Sequence, residues 1–473
     1  MLEKLFKLKE NNTSVKIEVI GGITTFMTMA YIVALNPNLL TNFAVGTPLW
    51  NAVFMATVIS AGVGTLLMAF LANKPFALAP GMGLNSYFAT VVATIAVASG
   101  MTYEQSFPAA LSIILISGVL FTILTLFKVR EKIVDAIPKA VRLGIPAGIG
   151  LMLVNIGLTS NAGIYTADGG PFYMLSQFFS EGPSATLATM GPEAYSKMVL
   201  YVITFFIGLF VIAVLSHKKV RGAVLIGMVV SAVAYWIGSF ILGENPFAAL
   251  STATWMPPFA DMIQTTFFKF DFKGLFSIGI FSAIMTIISF CMVDMFDTIG
   301  TLYGTAKKAN MLDENDKMPG MNKALLSDSL ATCVGSVTGT STVTTFIESA
   351  SGVEAGARTG LASVVTGILF LACMFISPLA ALIPAPATSA ALVYVGVLMM
   401  GSLKEVDYSD VSQTVPVVLL LIFMMGTSGI GNGIGIGLIA YTIIKVCTGK
   451  IKEVSPLTFV LSALFICKFF ITF

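Results

Sequence analysis

The chain has 473 residues, 56% of them hydrophobic and 11% charged, with a net charge of +2. A soluble domain carries about 25% charged residues, so a water-covered globular surface is excluded and much of this surface must face lipid. The balanced charge gives no field that would attract nucleic acid, and no nucleic-acid partner is expected. The five cysteines, Cys291, Cys333, Cys373, Cys447 and Cys467, stand singly. That spacing suits neither a zinc site nor a disulfide framework, and no metal or cofactor is expected.

Met1–Lys16 is polar and amphipathic, without the short apolar core and small-residue cleavage site of a signal peptide. A membrane helix needs about 20 apolar residues. On that measure spans are expected near 15–38, 50–72, 80–99, 106–127, 137–158, 197–216 and 221–243. A second set is expected near 276–304, 321–339, 343–356, 359–383, 387–402, 412–427 and 429–447, with one more apolar run at 456–472. The fold class is therefore an all-α polytopic membrane protein with about fourteen spans. The last run is either a fifteenth span or an interfacial helix.

Basic residues collect on the cytoplasmic side of membrane proteins. With the N-terminus inside and fourteen alternating spans, 22 of the 26 lysines and arginines fall inside. Lys197, Lys269 and Lys273 fall outside, and Lys468 lies in the last run. A wrong count would scramble this segregation. The two sets of seven also suggest an internal repeat. Residues 137–158 and 383–403 are each the fifth of their set, and each opens with Ile-Pro before small residues and a Gly-centred apolar helix. Seven is odd, so the halves would insert with opposite orientation, a transporter signature.

Two spans look broken. The third carries Pro75, Pro80, Gly81 and Gly83 at its start, and the tenth opens with the run GTSTVTTFIES. Each reads as a short extended stretch followed by a half-helix, at corresponding positions of the two sets. Extended backbone at membrane depth must face protein or a wet cavity. Half-helix N-termini offer N–H groups to a polar substrate.

Ionisable groups at membrane depth are costly and mark function by default. Asp294 and Asp297 lie i, i+3 in the eighth span, Glu348 at the start of the tenth half-helix, Asp328 at the start of the ninth span and Glu18 at the start of the first. Asp294 and Glu348 are the leading functional carboxylates; Asp328 reads more as a brace. Asn85, in the first turn of the third half-helix, is a candidate substrate donor and acceptor. Glu354 and Arg358, i, i+4, read as a surface ion pair. The single histidine, His217, sits in a basic loop, so proton movement would fall to Glu348, Asp294, Asp297 or Asp328. The glycine-rich stretch 431–440 follows no strand and is not read as a nucleotide loop. Neither the Gly-x-Gly-Asp setting of a membrane aspartyl protease nor a metalloprotease histidine pair occurs, so no enzyme is expected.

The stretches GGITTFMTMAYIVALNPNLL (21–40), PGMGLNSYFA (80–89), MVDMFDTIGTLYG (292–304) and 327–361 resemble the nucleobase–cation symporters of the nucleobase–ascorbate type. The resemblance is to their AzgA-like branch of hypoxanthine, guanine and adenine permeases, over about 15–450. It implies two inverted seven-helix repeats. A core domain is formed by 1–129 and 275–384, and a gate domain by 130–245 and 385–448, with 449–473 as an apolar tail. It also implies an elevator motion of core against gate, a homodimer through the gate, and proton-coupled purine uptake across a bacterial plasma membrane. By the same resemblance Asp294 and Glu348 grip the base and Asn85 assists; Ser349 is a further candidate contact, and Phe88 or Phe346 is the candidate for stacking on the ring. Relatives carry Asp or His where this chain has Thr298, so Asp297 takes over that role. The alternative cargo is xanthine, uracil or another small planar molecule. An acidic site disfavours anions.

Overall fold

The computed structural model describes all residues except 1, 43, 128–135, 162–190, 252–253, 309–310, 314–317, 428 and 471–473. Lys128, Arg130, Lys132 and Lys317 of the charge pattern, and the end of the last apolar run, lie outside the described residues.

The first span is two helices, α1 (Val15–Met29) and α2 (Ile32–Leu40), separated at Ala30–Tyr31. Next come α3 (Pro48–Leu67), β1 (Leu78–Pro80), α4 (Met82–Ser99) and α5 (Tyr103–Leu126). Local signals start these helices: the Thr47 side chain accepts from Trp50 N with Pro48 in the first turn, and Thr102 and Gln105 form a capping box. Then follow α6 (Lys139–Ile156), α7 (Pro192–His217), α8 (Ala223–Ile241) and the short α9 (Phe259–Thr265). The second half comprises α10 (Ile280–Lys308), α11 (Met321–Thr338), β2 (Val343–Thr345), α12 (Ser349–Glu354) and α13 (Gly360–Ala372). It closes with α14 (Ala385–Met399), α15 (Val411–Gly426), α16 (Ile430–Cys447) and α17 (Pro456–Phe470).

Among the described residues, eleven helices are long and apolar enough to cross a membrane. The expected ninth, tenth and thirteenth spans are not among them, each for its own reason. α11 carries Asp328 and five hydroxyl side chains, the tenth is a strand with a six-residue helix, and α15 has only 16 residues.

Two groups of helices emerge from the packing. α3 packs on α11 and α13, α1 on α12 and α13, and α5 on α4, α10 and α11. Separately, α6 packs on α14 and α15, and α7 on α8 and α14. The apolar window of α3 is 72% buried but that of α7 only 22%, so α3 centres the first group while α7 faces outward. The last run lies along α16 in the opposite direction. The hydroxyls of Thr442 and Ser462 are 2.9 Å apart, Gly435 faces Phe465, and Lys468 Nζ donates to Asn432 Oδ1 at 3.2 Å.

The expected Glu354–Arg358 ion pair does not form, and Glu18, given only a position from sequence, has a structural role. Arg358 does not pair with Glu354, because α12 ends at Glu354 and the chain turns at Gly356, whose φ is +108°. The guanidinium instead donates to the carbonyls of Val353 (2.8 Å) and Ala357 (2.7 Å). Glu18 is fully buried and accepts from the backbone N–H groups of Arg358 (2.8 Å), Thr359 (3.2 Å) and Ala362 (3.3 Å). It caps the N-terminus of α13 from another helix.

Candidate functional site

β1 and β2 pair antiparallel, Leu78 opposite Thr345, Ala79 opposite Thr344 and Pro80 opposite Val343. Gly81 N to Thr342 O and Phe346 N to Ala77 O, both 3.0 Å, extend the ladder at each end. A two-stranded ribbon has two open edges, which lipid cannot satisfy. Side chains close them here. Thr65 Oγ1 accepts from Leu78 N (2.9 Å) and lies 3.1 Å from Leu78 O, and Ser349 Oγ accepts from Ala77 N (3.0 Å). Asp328 Oδ1 accepts from Thr345 N (2.8 Å) and Thr345 Oγ1 (3.0 Å). Asn85 Nδ2 donates to Pro80 O (3.3 Å), and Pro80 has no N–H to leave unpaired.

Beside the ribbon lies a cavity of about 80 Å³, room for several waters. Its walls are Tyr31 at the α1–α2 break, Gly81, Met82 and Gly83 at the start of α4, Asp297 and Thr301 of α10, residues 344–348, and Val395 and Met399 of α14. Both helix groups therefore contribute. Glu348 Oε1 accepts from the Tyr31 hydroxyl at 2.7 Å, and Asp297 Oδ2 from Thr344 Oγ1 at 3.4 Å. Both acids are half-buried. α4 starts with no side-chain cap, so its first-turn amides can serve a ligand carbonyl. A second cavity of about 730 Å³ shares Ile347, Glu348 and Val395 with the first and is walled by Lys219 and Arg221 of the α7–α8 turn.

Of the residues expected from sequence, Glu348, Asp297 and Phe346 meet at the cavity. The others do not line it. Asp294 is fully buried, with its Oδ2 3.2 Å from Thr332 Oγ1; that hydroxyl is also 3.2 Å from Val343 O, and its single proton can serve one of them at a time. Asp328 braces β2 and accepts from Thr298 Oγ1 at 2.7 Å. Asn85 is bound to Pro80 and the Ser341 hydroxyl, Ser349 holds Ala77, and the Phe88 ring packs edge-on to Phe107 at 5.0 Å. Sequence reasoning missed Tyr31 and Thr344. Tyr31 sits in the apolar run 29–35, two residues after Met29, and only its hydroxyl hints at the role.

The arrangement brings together two carboxylates, an uncapped helix N-terminus and an aromatic ring. It can hold a flat molecule that donates from one edge and accepts at another.

Comparison with known proteins sets this site in a family. Residues 16–436 match a permease family (Xan_ur_permease). The chain is 40% identical over 472 residues to the guanine/hypoxanthine permease PbuO of Bacillus subtilis, covering 99% of this chain and 100% of that protein. It is 38% identical over 468 residues to the adenine permease AdeP of Escherichia coli, covering 99% and 96%. Its fold resembles the transmembrane domain of a cyanobacterial bicarbonate transporter, BicA, with a TM-score of 0.63 at 16% identity, over 89% of this chain and 97% of that one. It also resembles SLC26A9, with a TM-score of 0.58 at 11% identity, over 95% and 67%. A polytopic helical membrane protein with this site and these relatives belongs to the nucleobase–cation symporter family of permeases, and is a transporter rather than an enzyme.

Proposed function

We propose that the chain carries purine nucleobases (hypoxanthine, guanine and adenine) across the plasma membrane together with protons. The relatives named for adenine and for guanine/hypoxanthine support the cargo. The observation that carries the reading is the cavity itself, where Glu348 and Asp297 stand beside an uncapped half-helix and the Phe346 ring. An oxopurine presents adjacent ring N–H groups, which a carboxylate accepts in charge-assisted hydrogen bonds. The α4 amides suit the purine carbonyl, and the Phe346 ring offers a stacking face. Glu348, held by Tyr31, is the group we assign to the coupled proton; Asp297 is its partner. Asp294 and Asp328 serve the scaffold in this assignment.

The same reading takes fourteen spans as two inverted repeats, with the N-terminus cytoplasmic and α17 as an additional crossing. α1–α5 with α10–α13 form the core, and α6–α8 with α14–α16 the gate, which also offers a dimer surface. The large cavity walled by Lys219 and Arg221 then opens to the cytoplasm. Gly222, beside those residues, lies against the Met27 carbonyl, about 18 Å along α1 from Val15 at 1.5 Å per residue. A cytoplasmic turn of the gate so far up a core helix supports a core displaced inward, as an elevator requires.

Uptake of labelled hypoxanthine, guanine and adenine into cells lacking their own purine permeases, with and without a protonophore, tests the function. Protonophore-sensitive uptake competed poorly by uracil and xanthine is expected, and Glu348→Gln should abolish it while protein remains in the membrane. Uptake by Glu348→Gln at the full proton-driven rate would overturn the mechanism, and preferred competition by uracil or xanthine the cargo.

A further inference from the structure

A third cavity, of about 320 Å³, lies at the end of the bundle opposite Lys219 and Arg221, between Asn38 of α2, the chain leading into α14, and α7 and α8. Three aromatic rings line it. Tyr201 and Tyr235 meet edge-on with centroids 5.5 Å apart, and the Trp236 indole is fixed by donating its N–H to Leu382 O at 3.1 Å.

Two polar side chains in its wall are left unsatisfied. Asn38 Oδ1 accepts from the Trp50 indole N–H at 2.7 Å. An indole can only donate, so this contact fixes which end of the amide is oxygen. Among the described residues the Asn38 Nδ2 group then has no acceptor, and Ser239 Oγ has no partner either, although both residues are 1% exposed. Buried donors are rarely left unpaired without a reason. The single carboxylate among the lining residues, Glu244, is held at 2.7 Å by Lys197, which also pairs with Glu193 at 3.2 Å, and no lining residue is basic, so the cavity has nothing to hold an anion. Flat rings, an amide donor and a hydroxyl, with the one charged lining group already paired, match a neutral heteroaromatic ring bearing an acceptor on its edge.

We propose that this cavity is an outer binding site for a nucleobase, separate from the cavity at Glu348 and loaded from the opposite face. This rests on the purine-permease reading. The base stacks on the Trp236 and Tyr235 rings and presents a ring nitrogen or carbonyl to Asn38. The cavity joins core to gate, so its occupancy is tied to their relative position.

Equilibrium binding of labelled hypoxanthine and adenine to the purified full chain tests it. Two bases per chain are expected at saturation, with one remaining in Glu348→Gln. The remaining site should weaken at least tenfold when Tyr235→Leu and Ser239→Ala are added. Bound base should quench tryptophan fluorescence, and Trp236→Phe should remove most of that quench while keeping binding. The quench decides the matter even if the Tyr235→Leu protein does not accumulate. One base per chain, lost entirely in Glu348→Gln while the unaltered protein still takes up purine, overturns the outer site and leaves the function standing. Absence of both binding and uptake of every base overturns the function and the site together.

Discussion

Gly83 is where a single methyl group should report on the proposed motion. It opens α4 beside the cavity, and a Cβ built there would lie 2.1 Å from Ile149 Cγ2 on α6, where ordinary contact is 3.4–4 Å. Ile149 is 2% exposed, and Cγ2 branches directly from its Cβ, so it cannot swing away without turning a stiff χ1. Overpacking of this kind costs about 1–3 kcal/mol, a factor of about 5–150 in the population of this arrangement. In the proposed division Gly83 belongs to the core and Ile149 to the gate, so the cost should fall on one position of the core rather than on folding. Gly83→Ala should therefore lower the maximal rate of purine uptake by a factor in that range at equal membrane abundance. Ile149→Ala, which removes the colliding carbon, should restore most of it. Gly401→Ala, where a Cβ meets nothing within 4 Å, is the control and should transport normally. Wild-type uptake by Gly83→Ala, or no recovery on adding Ile149→Ala, would refute the reasoning.

Other substitutions separate scaffold from site. Asp297→Asn should raise the KM for purine with little change in thermal stability, whereas Asp294→Ala, at a fully buried position, should lower the melting temperature; the reverse pattern would move the binding role to Asp294. Glu18→Ala strips an acceptor from three backbone N–H groups and should destabilise the protein by about 2–4 kcal/mol, read as a lower Tm in detergent. Glu18→Gln keeps one acceptor oxygen and should lose less. A reporter fused beyond α17 should be labelled from outside intact cells, because α17 runs opposite to α16; labelling only after permeabilisation would mean that α17 does not cross.

The breaks that build the site were readable because they are written in backbone chemistry. Pro80 and Gly81, and the β-branched run at 342–345, cannot continue a helix comfortably, and strands stand at both places. Glu348 was readable as a lone carboxylate beside such a break. The azimuth of α10 was not. Asp294 and Asp297, three residues apart, differ by about 60° around a helix of 3.6 residues per turn, enough to turn one toward Thr332 and the other into the cavity. Asn85 and Ser349 were expected at the substrate and Asp328 more as a brace; in the structure all three bond to the edges of the ribbon. The demand they meet, the open edges of a ribbon only two strands wide, exists only once distant segments pair. The supposed Glu354–Arg358 pair failed for a related reason: helical spacing holds only while the helix lasts, and α12 stops at Glu354.

The ribbon also sets an order of events in biogenesis. Ala77 and Ser349, which bond across it, are 272 residues apart in the chain. At about 5–20 residues per second, the first strand waits on the order of tens of seconds before its partner has been synthesised. During that interval its N–H and C=O groups have no ladder, and lipid offers them nothing. The segment around Leu78 must therefore stay wet, shielded by insertion factors, or transiently helical until the second half arrives. Contacts that close loops of this length, including the still longer Tyr31–Glu348 one at 317 residues, are expected to be among the slowest to form. A truncated first half would inherit this exposed strand permanently, leaving a species prone to degradation rather than a half-functional carrier.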